Sequence, residues 1–321
     1  MRPALTFFVV LALSALALSQ DVKLREEATR LLERANAVSS SPKLPNLEHV
    51  DNFRVFRDSG TKEGSFTRVV IQGVGRREEY QFGDYDLVNV WTAKQVAVRG
   101  SGRLLPPELL DVTRITPMNH VSFDDQDVIR SITDRAVSGR GARCIQFDTV
   151  HGDHTDNNEL CVDNANGTLL FEKLGAETTE NSDFFPFAGA LMPGKITYSH
   201  GSVQRIEITQ TMAELAVSDA NVLAPPPNAQ MHGICTTFRR PFGLSMPQPP
   251  AGNGGTTSDV VVRARVGVEG HIYEPVVQSS DRPDLNSEAL SLARQWTFTP
   301  AMCNGRADPH EVDFTLHFQG R

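Results

Sequence analysis

The sequence predicts an α+β protein with a large antiparallel domain followed by a small mixed one, and three observations support this class. Between Val50 and about Thr211, short runs of alternating apolar and polar residues are separated by glycine-rich turns, which indicates a curling meander of antiparallel strands. Residues 223–255 are rich in proline and glycine, as linkers are. The final stretch, from Val260 to Phe318, follows a ββαββ pattern.

Composition and charge narrow the function classes. The 321 residues are 40% hydrophobic and 22% charged, which suits a soluble globular protein of about two domains. The net charge of −8 at pH 7 disfavours nucleic acid as a partner, because a surface that binds nucleic acid is basic. We therefore expect partners of another kind.

Residues 1–19 predict a cleavable signal peptide. Arg2 precedes an uncharged apolar run from Ala4 to Leu18, and small residues occupy the positions that a signal peptidase reads. We expect cleavage before Gln20, with cleavage before Leu18 as the alternative. An uncleaved inner-membrane anchor formed by residues 4–18 is the other interpretation, but this run is short for a hydrocarbon core of about 30 Å.

Two helices are predicted before the linker. Val22 to Val38 carries apolar residues at helical spacing with arginine and glutamate opposite, and the sequence Ser39 to Pro42 ends it. A second helical stretch, around Pro106 to Asp111, interrupts the strands. The larger domain, residues 20–222, is therefore expected to be a strand meander with helical additions.

The four cysteines predict two disulfide bonds. Their number is even, and an exported protein enters an oxidising compartment. Three pairings are possible. Cys144 and Cys161 flank a polar stretch between two alternating segments, so we expect them to face each other across a hairpin, which leaves Cys235 to pair with Cys303. Four free thiols are the alternative.

In the final stretch, the first predicted strand runs from Val260 to Val268 with its valines on one face. The second, His271 to Ser279, contains Pro275, which suggests an edge strand or a bulge. A helix from Ser287 to Gln295 follows, with Asp284 or Asn286 as its cap.

A third and a fourth strand complete the pattern. The third begins with Trp296 and Phe298, the fourth contains Val312, Phe314, Leu316 and Phe318, and the turn Cys303-Asn304-Gly305 is expected to join them. Their aromatic residues are expected to anchor the core.

The motif Trp296-Thr-Phe298-Thr-Pro300-Ala301, followed by Asn304-Gly305, resembles the C-terminal domain of TonB, the periplasmic energy transducer. The resemblance covers residues 256–321. It implies a periplasmic location and a module that captures an extended segment of an outer-membrane receptor by adding it as a strand to an exposed sheet edge.

The resemblance also implies which residues meet the partner. The edge would be the last strand, with a partner-binding set of Arg306, Val312, Phe314 and Leu316, and with Arg263 and Arg265 nearby to meet acidic partners. The chain differs from the transducers in having a folded domain where their long charged spacer lies.

The meander has a weaker resemblance of its own. An N-terminal helix, many strands, a helical insertion and the late strand Met192-Pro-Gly-Lys-Ile-Thr-Tyr are similar to the unclosed β-barrel of LolA, the periplasmic lipoprotein carrier, and of related sensors, over residues 21–222. This implies an apolar concavity that could hold a lipid or lipopeptide. The alternative is that the concavity is filled by side chains such as Phe184, Phe185 and Phe187.

The sequence gives no catalytic constellation. His151 to Asp156 holds two histidines and two aspartates, but the spacing matches neither a zinc helix nor a calcium loop, so a solvated hairpin tip is expected. No serine, histidine and aspartate set or reactive cysteine has a recognisable context. We predict a protein that is not an enzyme and that uses no cofactor or metal.

Two functions therefore compete. The first is a TonB-type adaptor, linked to transmembrane transport, that binds an outer-membrane transporter or another envelope protein through its C-terminal sheet. The second is a carrier or sensor that binds lipid or lipoprotein in the half-barrel. A purely structural periplasmic protein is a third possibility.

Overall fold

The structure is a computed structural model that describes residues 4–41, 43–57, 60–100, 105–115, 121–151, 154–216, 220–249, 257–280 and 282–319. They form two compact units. The first contains Met1–Asp84 and Val112–Val222, and the second contains Tyr85–Asp111 and Leu223–Arg321. The first unit ends at Val222, and the second includes Tyr85–Asp111, a stretch that the sequence places in the larger predicted domain.

The first element is the helix α1, Ala4–Ser39. It ends one residue after the predicted Val38 but begins well before the predicted Val22, because the apolar run before it is also helical. Ala28 and Leu32 are buried against Ile145 and Phe147 of the sheet, so this face of α1 contributes to the core of the first unit. Among the described residues, no helix is long and apolar enough to cross a membrane.

The strands follow in chain order. The first five are β1 (Leu47–Arg57), β2 (Gly60–Ile71), β3 (Gly75–Phe82), β4 (Tyr85–Thr92) and β5 (Gln95–Gly100). The helix α2, Pro107–Ile115, comes next and extends beyond the predicted stretch. After it come β6 (Asp127–Val137), β7 (Arg140–His151), β8 (His154–Asp163), β9 (Leu169–Leu174), β10 (Glu177–Ser182), β11 (Phe185–Phe187), β12 (Ala190–Met192), β13 (Lys195–His200) and β14 (Val203–Glu214).

The first unit is built on an antiparallel sheet with the strand order β3-β2-β1-β14-β13-β10-β9-β8-β7-β6. Most neighbours in the sheet are neighbours in sequence, as in a meander, and the β11-β12 hairpin is inserted between β10 and β13. Among the described residues β6 pairs only with β7, so the sheet does not close into a barrel. The predicted α+β fold with an unclosed antiparallel sheet is confirmed.

Besides β4 and β5, the second unit contains the remaining elements, of which the first begins before the boundary at Val222. They are a short 3-10 turn (Ala220–Leu223), β15 (Gln230–Gly233), β16 (Phe238–Arg239), β17 (Phe242–Ser245), β18 (Thr257–Val266), β19 (Ile272–Ser280), a second 3-10 turn (Pro283–Leu285), the helix α3 (Asn286–Ala293), β20 (Thr297–Thr299), β21 (Ala301–Cys303), β22 (Arg306–Asp308) and β23 (His310–Gln319). The described residues 257–319 are called the C-terminal module below.

The C-terminal module has a three-stranded antiparallel sheet in the order β19-β18-β23, covered on one face by α3. Val260, Val262 and Ala264 are buried on that face with Ala289 and Ala293 of the helix, so the predicted alternation holds.

Three details of the module differ from the predictions. Val268 lies in the turn after β18 and is exposed, because the strand ends at Val266. Neither Asp284 nor Asn286 caps α3 through its side chain, since the 3-10 turn continues directly into the helix. Finally, Asn304 and Gly305 join β21 to β22 instead of joining two strands of the main sheet.

Residues 230–245 form strands, although the proline and glycine content of residues 223–255 predicts a linker. β15 pairs with β5, β16 pairs with β21, and β17 pairs with β20. Apart from Pro241, the prolines of this region lie on both sides of these residues, near 225–227 and 247–250, so most backbone amides between them can donate hydrogen bonds. Strand partners that lie far away in sequence therefore order what appeared locally to be a linker.

Candidate functional site

The last strand, β23, is a regular edge of the C-terminal sheet. It pairs with β18 over ten residues, from His310 opposite Val266 to Gln319 opposite Thr257, with no shift in register. No proline lies between residues 310 and 319. In the described part of the chain no strand pairs with its other side. Its outer side therefore presents backbone groups to which an added strand can bond.

The opposite edge, β19, is irregular. Its pairing with β18 shifts register twice, and Glu274 has a φ of 46°, in the left-handed region. Pro275, next to it, cannot donate a backbone hydrogen bond. The predicted bulge is thus present, and bulges with proline are a common way in which sheet edges avoid pairing with other strands.

The tryptophan motif packs against the core side of β23. The ring of Trp296 stacks on Phe314 with centroids 4.1 Å apart, and its Nε1 donates a hydrogen bond to the carbonyl of Pro247 at 3.0 Å. Leu316 and Phe318 are almost completely buried in the same core. The apolar side chains of β23 therefore fix the strand in place, and its outer backbone is held in a defined position.

The rest of the motif forms turns and short strands. Phe298 and Ala301 are buried, with the partly buried Pro300 between β20 and β21. Asn304 and Gly305 have φ values of 50° and 78°, as a two-residue hairpin turn requires.

The polar face of the sheet is internally paired. Arg263 lies 3.1 Å from Glu311 and 3.5 Å from Asp313, and Arg265 lies 3.8 Å from Glu311. The expectation that Arg263 and Arg265 are available for acidic partners is therefore wrong, because β23 itself supplies the carboxylates. An added strand would instead meet a face on which opposite charges are already matched.

Two further residues, Tyr85 and Arg306, concern the polar face and the edge of this sheet. Burial, and then the negative charge of Glu311, raise the pKa of Tyr85 to about 12, with Arg265 acting in the opposite direction. The hydroxyl of Tyr85 is buried without a hydrogen-bond partner. Arg306, which was assigned to the edge, lies on β22 instead and is exposed, so it is separate from Val312, Phe314 and Leu316 of β23.

The cysteines form two disulfide bonds, in the pairing that the sequence favoured. Cys144 and Cys161 are directly opposite each other on β7 and β8, with Cα atoms 4.0 Å apart. Cys235 and Cys303 are 68 residues apart in sequence and connect the segment before β16 to β21. Glu159 lies near the first pair, but sulfur atoms in a disulfide are not thiolates, so this group does not constitute a metal site.

The first unit contains an apolar cavity of about 240 Å³. Leu32 of α1, Leu47 of β1 and Phe187 of β11 line it, together with the partly buried Phe184. Phe184 and Phe187 therefore fill the concavity only in part, and Phe185 does not line it but packs against the cluster of lining residues that contains Phe187. Asn181 also lines the cavity, and its Oδ1 is buried without a hydrogen-bond partner.

A buried polar group that was not predicted from the sequence lies beside this cavity. His49 Nε2 lies 2.8 Å from Asp51 and 3.1 Å from the Oε1 atom of Gln210, and Gln210 donates to the carbonyl of Pro193, a cavity residue. The sequence does contain a sign of this group: in β1, the polar residues His49 and Asp51 occupy alternate positions that face the interior, where apolar residues are expected.

The predicted histidine and aspartate cluster begins at His151, and its residues 152 and 153 lie outside the described residues.

The family model of the Gram-negative bacterial TonB protein C-terminal matches residues 251–319, which confirms the resemblance drawn from the tryptophan motif. A search of curated proteins gives no match.

Several solved structures are similar at low sequence identity. A DUF1329 family protein from Desulfovibrio piger has 11% identity and a TM-score of 0.41, covering 62% of this chain and 99% of its own. A lipoprotein-sorting domain from Vibrio parahaemolyticus has 9% identity and a TM-score of 0.39, covering 62% and 97%. A LolA superfamily protein from Nitrosomonas europaea has 11% identity and a TM-score of 0.36, covering 61% and 96%.

Proposed function

We propose that this protein is a periplasmic envelope protein of TonB type that captures an extended segment of an outer-membrane transporter by adding it as a strand to β23. The observation that carries the proposal is the regular, proline-free edge of β23 within the part of the chain that matches the TonB family model. Backbone hydrogen bonds would provide the attachment, and the side chains beside the edge would select the partner.

The chemistry of the edge sets the kind of segment that fits. On its apolar side β23 presents Val312 and Phe314, both partly buried, so an added strand with apolar residues at alternate positions would extend the core. On its polar side Asp313 and His317 remain exposed at the rim. The proposed partner is therefore an extended, alternating segment of an envelope protein, and the proposed role is binding, linked to transmembrane transport.

A pull-down from outer-membrane extract with the full chain tests the proposal. Thr315→Pro in β23 places a proline in the proposed edge, and Gln278→Pro in the irregular edge β19 is the matched control. We expect transporters to be recovered with the wild type and with the control but not with Thr315→Pro. Thermal unfolding of the two variants, with midpoints equal to that of the wild type, shows that the loss is not a loss of folding. Equal recovery by all three chains would reject strand addition at β23.

A second candidate function rests on the apolar cavity of the first unit. Its lining suits an alkyl chain, and its volume of about 240 Å³ is close to the lower limit of ligand pockets, about 300 Å³. We propose lipid or lipoprotein binding there as the alternative. Leu191→Trp would place an indole among the lining residues, whereas Val203→Trp alters an exposed residue that is not part of the lining.

Binding of a fluorescent long-chain fatty acid distinguishes these outcomes. The carrier function predicts saturable binding by the wild type and by Val203→Trp, with a loss of at least about tenfold in Leu191→Trp, since steric exclusion removes most of the buried contact. Absence of binding to the wild type would reject the carrier function and leave the strand-addition proposal unaffected.

A further inference from the structure

The segment 234–247, which we call the strap, is fastened to the C-terminal module at several points. Cys235 is bonded to Cys303. Asn304 accepts hydrogen bonds from the backbone amides of Thr236 and Thr237 at 3.0 Å and donates its side-chain amide to the carbonyl of Ile234 at 3.0 Å. These contacts hold the beginning of the strap in one conformation.

The remainder of the strap is held in the same way. Phe242 is paired with Thr299, whose hydroxyl accepts its backbone amide at 3.0 Å, and the carbonyl of Pro247 accepts the bond from Trp296. A segment with so many fixed contacts is pre-organised, because little conformational freedom remains to be lost when it binds something.

Although it is ordered, and although the Phe238 ring packs on His310, the strap leaves its large apolar side chains about half exposed or more. The exposed fractions are 45% for Phe238, 72% for Phe242, 66% for Leu244 and 46% for Met246. A strap that only clamped the module would bury these side chains, and a solvated linker would not contain them. Contiguous apolar residues exposed on an ordered element typically mark a surface that contacts a membrane or another molecule.

The sequence around these exposed apolar side chains is more basic than the chain as a whole. From residue 220 to residue 258 the sequence contains no aspartate or glutamate, although the whole chain has a net charge of −8. Arg239 and Arg240 lie within the apolar row and are exposed. Arg306 lies on β22 and is also exposed. It pairs with Cys303 of β21, which in turn pairs with Phe238 of β16. The three arginines outnumber the exposed Asp308 of β22, so this surface is complementary to an anionic partner.

We propose that the strap docks the C-terminal module on the surface of an anionic phospholipid bilayer. Phe242 and Leu244 would enter the headgroup region while Arg239 and Arg240 contact lipid phosphates. A bilayer fits better than an acidic protein because it receives projecting side chains without complementary pockets, whereas apolar anchors at protein interfaces depend on such pockets. The inference is independent of strand addition at β23 and of the cavity.

Co-flotation with vesicles tests the inference. The full chain without residues 1–19 is used, so that the apolar run at the N-terminus cannot insert by itself. Vesicles of pure phosphatidylcholine are compared with vesicles that also contain phosphatidylglycerol. We expect flotation with the anionic vesicles only, and weaker flotation at high salt, where charges are screened.

Three variants assign the binding to the strap. Arg239→Gln with Arg240→Gln is expected to weaken binding about fivefold for each arginine. Phe242→Ser with Leu244→Ser is expected to weaken it at least as much, since both side chains would lose apolar burial. Leu174→Ser with Val203→Ser, two similarly exposed apolar residues of the first unit, is the control and should bind like the wild type.

The proposal is overturned if the wild type does not float with anionic vesicles, or if the control loses as much binding as the Phe242 and Leu244 variant. Capture of an acidic envelope protein through the strap, with no vesicle binding, would also overturn it. Circular dichroism of each variant confirms that a loss of binding is not a loss of folding.

Discussion

On one edge of the C-terminal sheet, β19 carries a bulge at Glu274 and Pro275, whereas on the other edge β23 pairs with β18 for ten residues without interruption. Both are edge strands of the same small sheet, and both contribute residues to its core. The difference shows that the module protects one edge from pairing and leaves the other regular. Variants on the two edges can show whether this difference in structure is also a difference in stability and in function.

The largest expected effect is on the support of β23. Trp296→Ala removes the ring stacked on Phe314 and the hydrogen bond to Pro247, and we expect the free energy of unfolding of the second unit to fall by about 3 to 5 kcal/mol. Tyr273→Ala, on the exposed part of β19, is the control and should change it by less than about 0.5 kcal/mol.

Both tryptophans, Trp91 and Trp296, belong to the second unit, so urea unfolding followed by tryptophan fluorescence reports on that unit alone. Trp91 remains as the probe in Trp296→Ala. Equal effects of the Trp296 and Tyr273 variants would mean that the two edges are supported alike.

The turn between β18 and β19 gives the second largest effect. Gly270 has a φ of 82°, and a Cβ atom at this position would lie 2.0 Å from the carbonyl oxygen of Phe298. Gly270→Ala should therefore cost about 2 to 4 kcal/mol, from backbone strain and from the clash together.

Gly305→Ala is the matched control for this prediction. Gly305 also has a positive φ, of 78°, but nothing lies within 4 Å of the added Cβ. Urea unfolding should show a cost of about 1 kcal/mol, from backbone strain alone. If Gly305→Ala were as costly as Gly270→Ala, the close approach of β20 to the turn would not be what fixes the beginning of β19.

A smaller effect is expected where charges join β18 to β23. Arg263→Gln breaks the ion pairs with Glu311 and Asp313, and we expect a loss of about 1 kcal/mol that shrinks at high salt. Arg282→Gln, whose partner Asp284 is two residues away, joins no strands and should have a smaller effect. A loss that is independent of salt would show that packing of the arginine stem, instead of its charge, connects the strands.

The smallest change is expected at Tyr85. Its buried hydroxyl has no hydrogen-bond partner, so Tyr85→Phe removes a polar atom whose burial is not compensated. We expect the second unit to be unchanged or stabilised by up to about 1 kcal/mol, as measured by urea unfolding. A clear destabilisation would mean that this hydroxyl contributes to the charged face through a contact absent from the structure.

Much of the C-terminal module could be predicted from sequence because its signals are local. The alternation of Val260 to Val266, the bulge at Pro275 and the Asn304-Gly305 turn each depend on residues close in sequence. The TonB motif then identified the module, and the regular β23 edge was expected from the same resemblance.

The strap could not be predicted because its order comes from distant partners. Phe238 pairs with Cys303 and Phe242 with Thr299, both more than fifty residues away, while the nearby prolines indicate a linker. The arginines Arg263 and Arg265 were misjudged for the same reason, since only the register of β18 with β23 places Glu311 and Asp313 beside them.

The most direct test of strand addition compares the two edges in the same molecule. A photo-crosslinking amino acid is placed at His317 on β23 or at Ser279 on β19, both exposed in the structure, and the full chain is irradiated with outer-membrane extract. We predict that His317 crosslinks to an outer-membrane transporter, identified by mass spectrometry, and that Ser279 does not. Crosslinks of equal yield from both positions, or from Ser279 alone, would contradict the proposal.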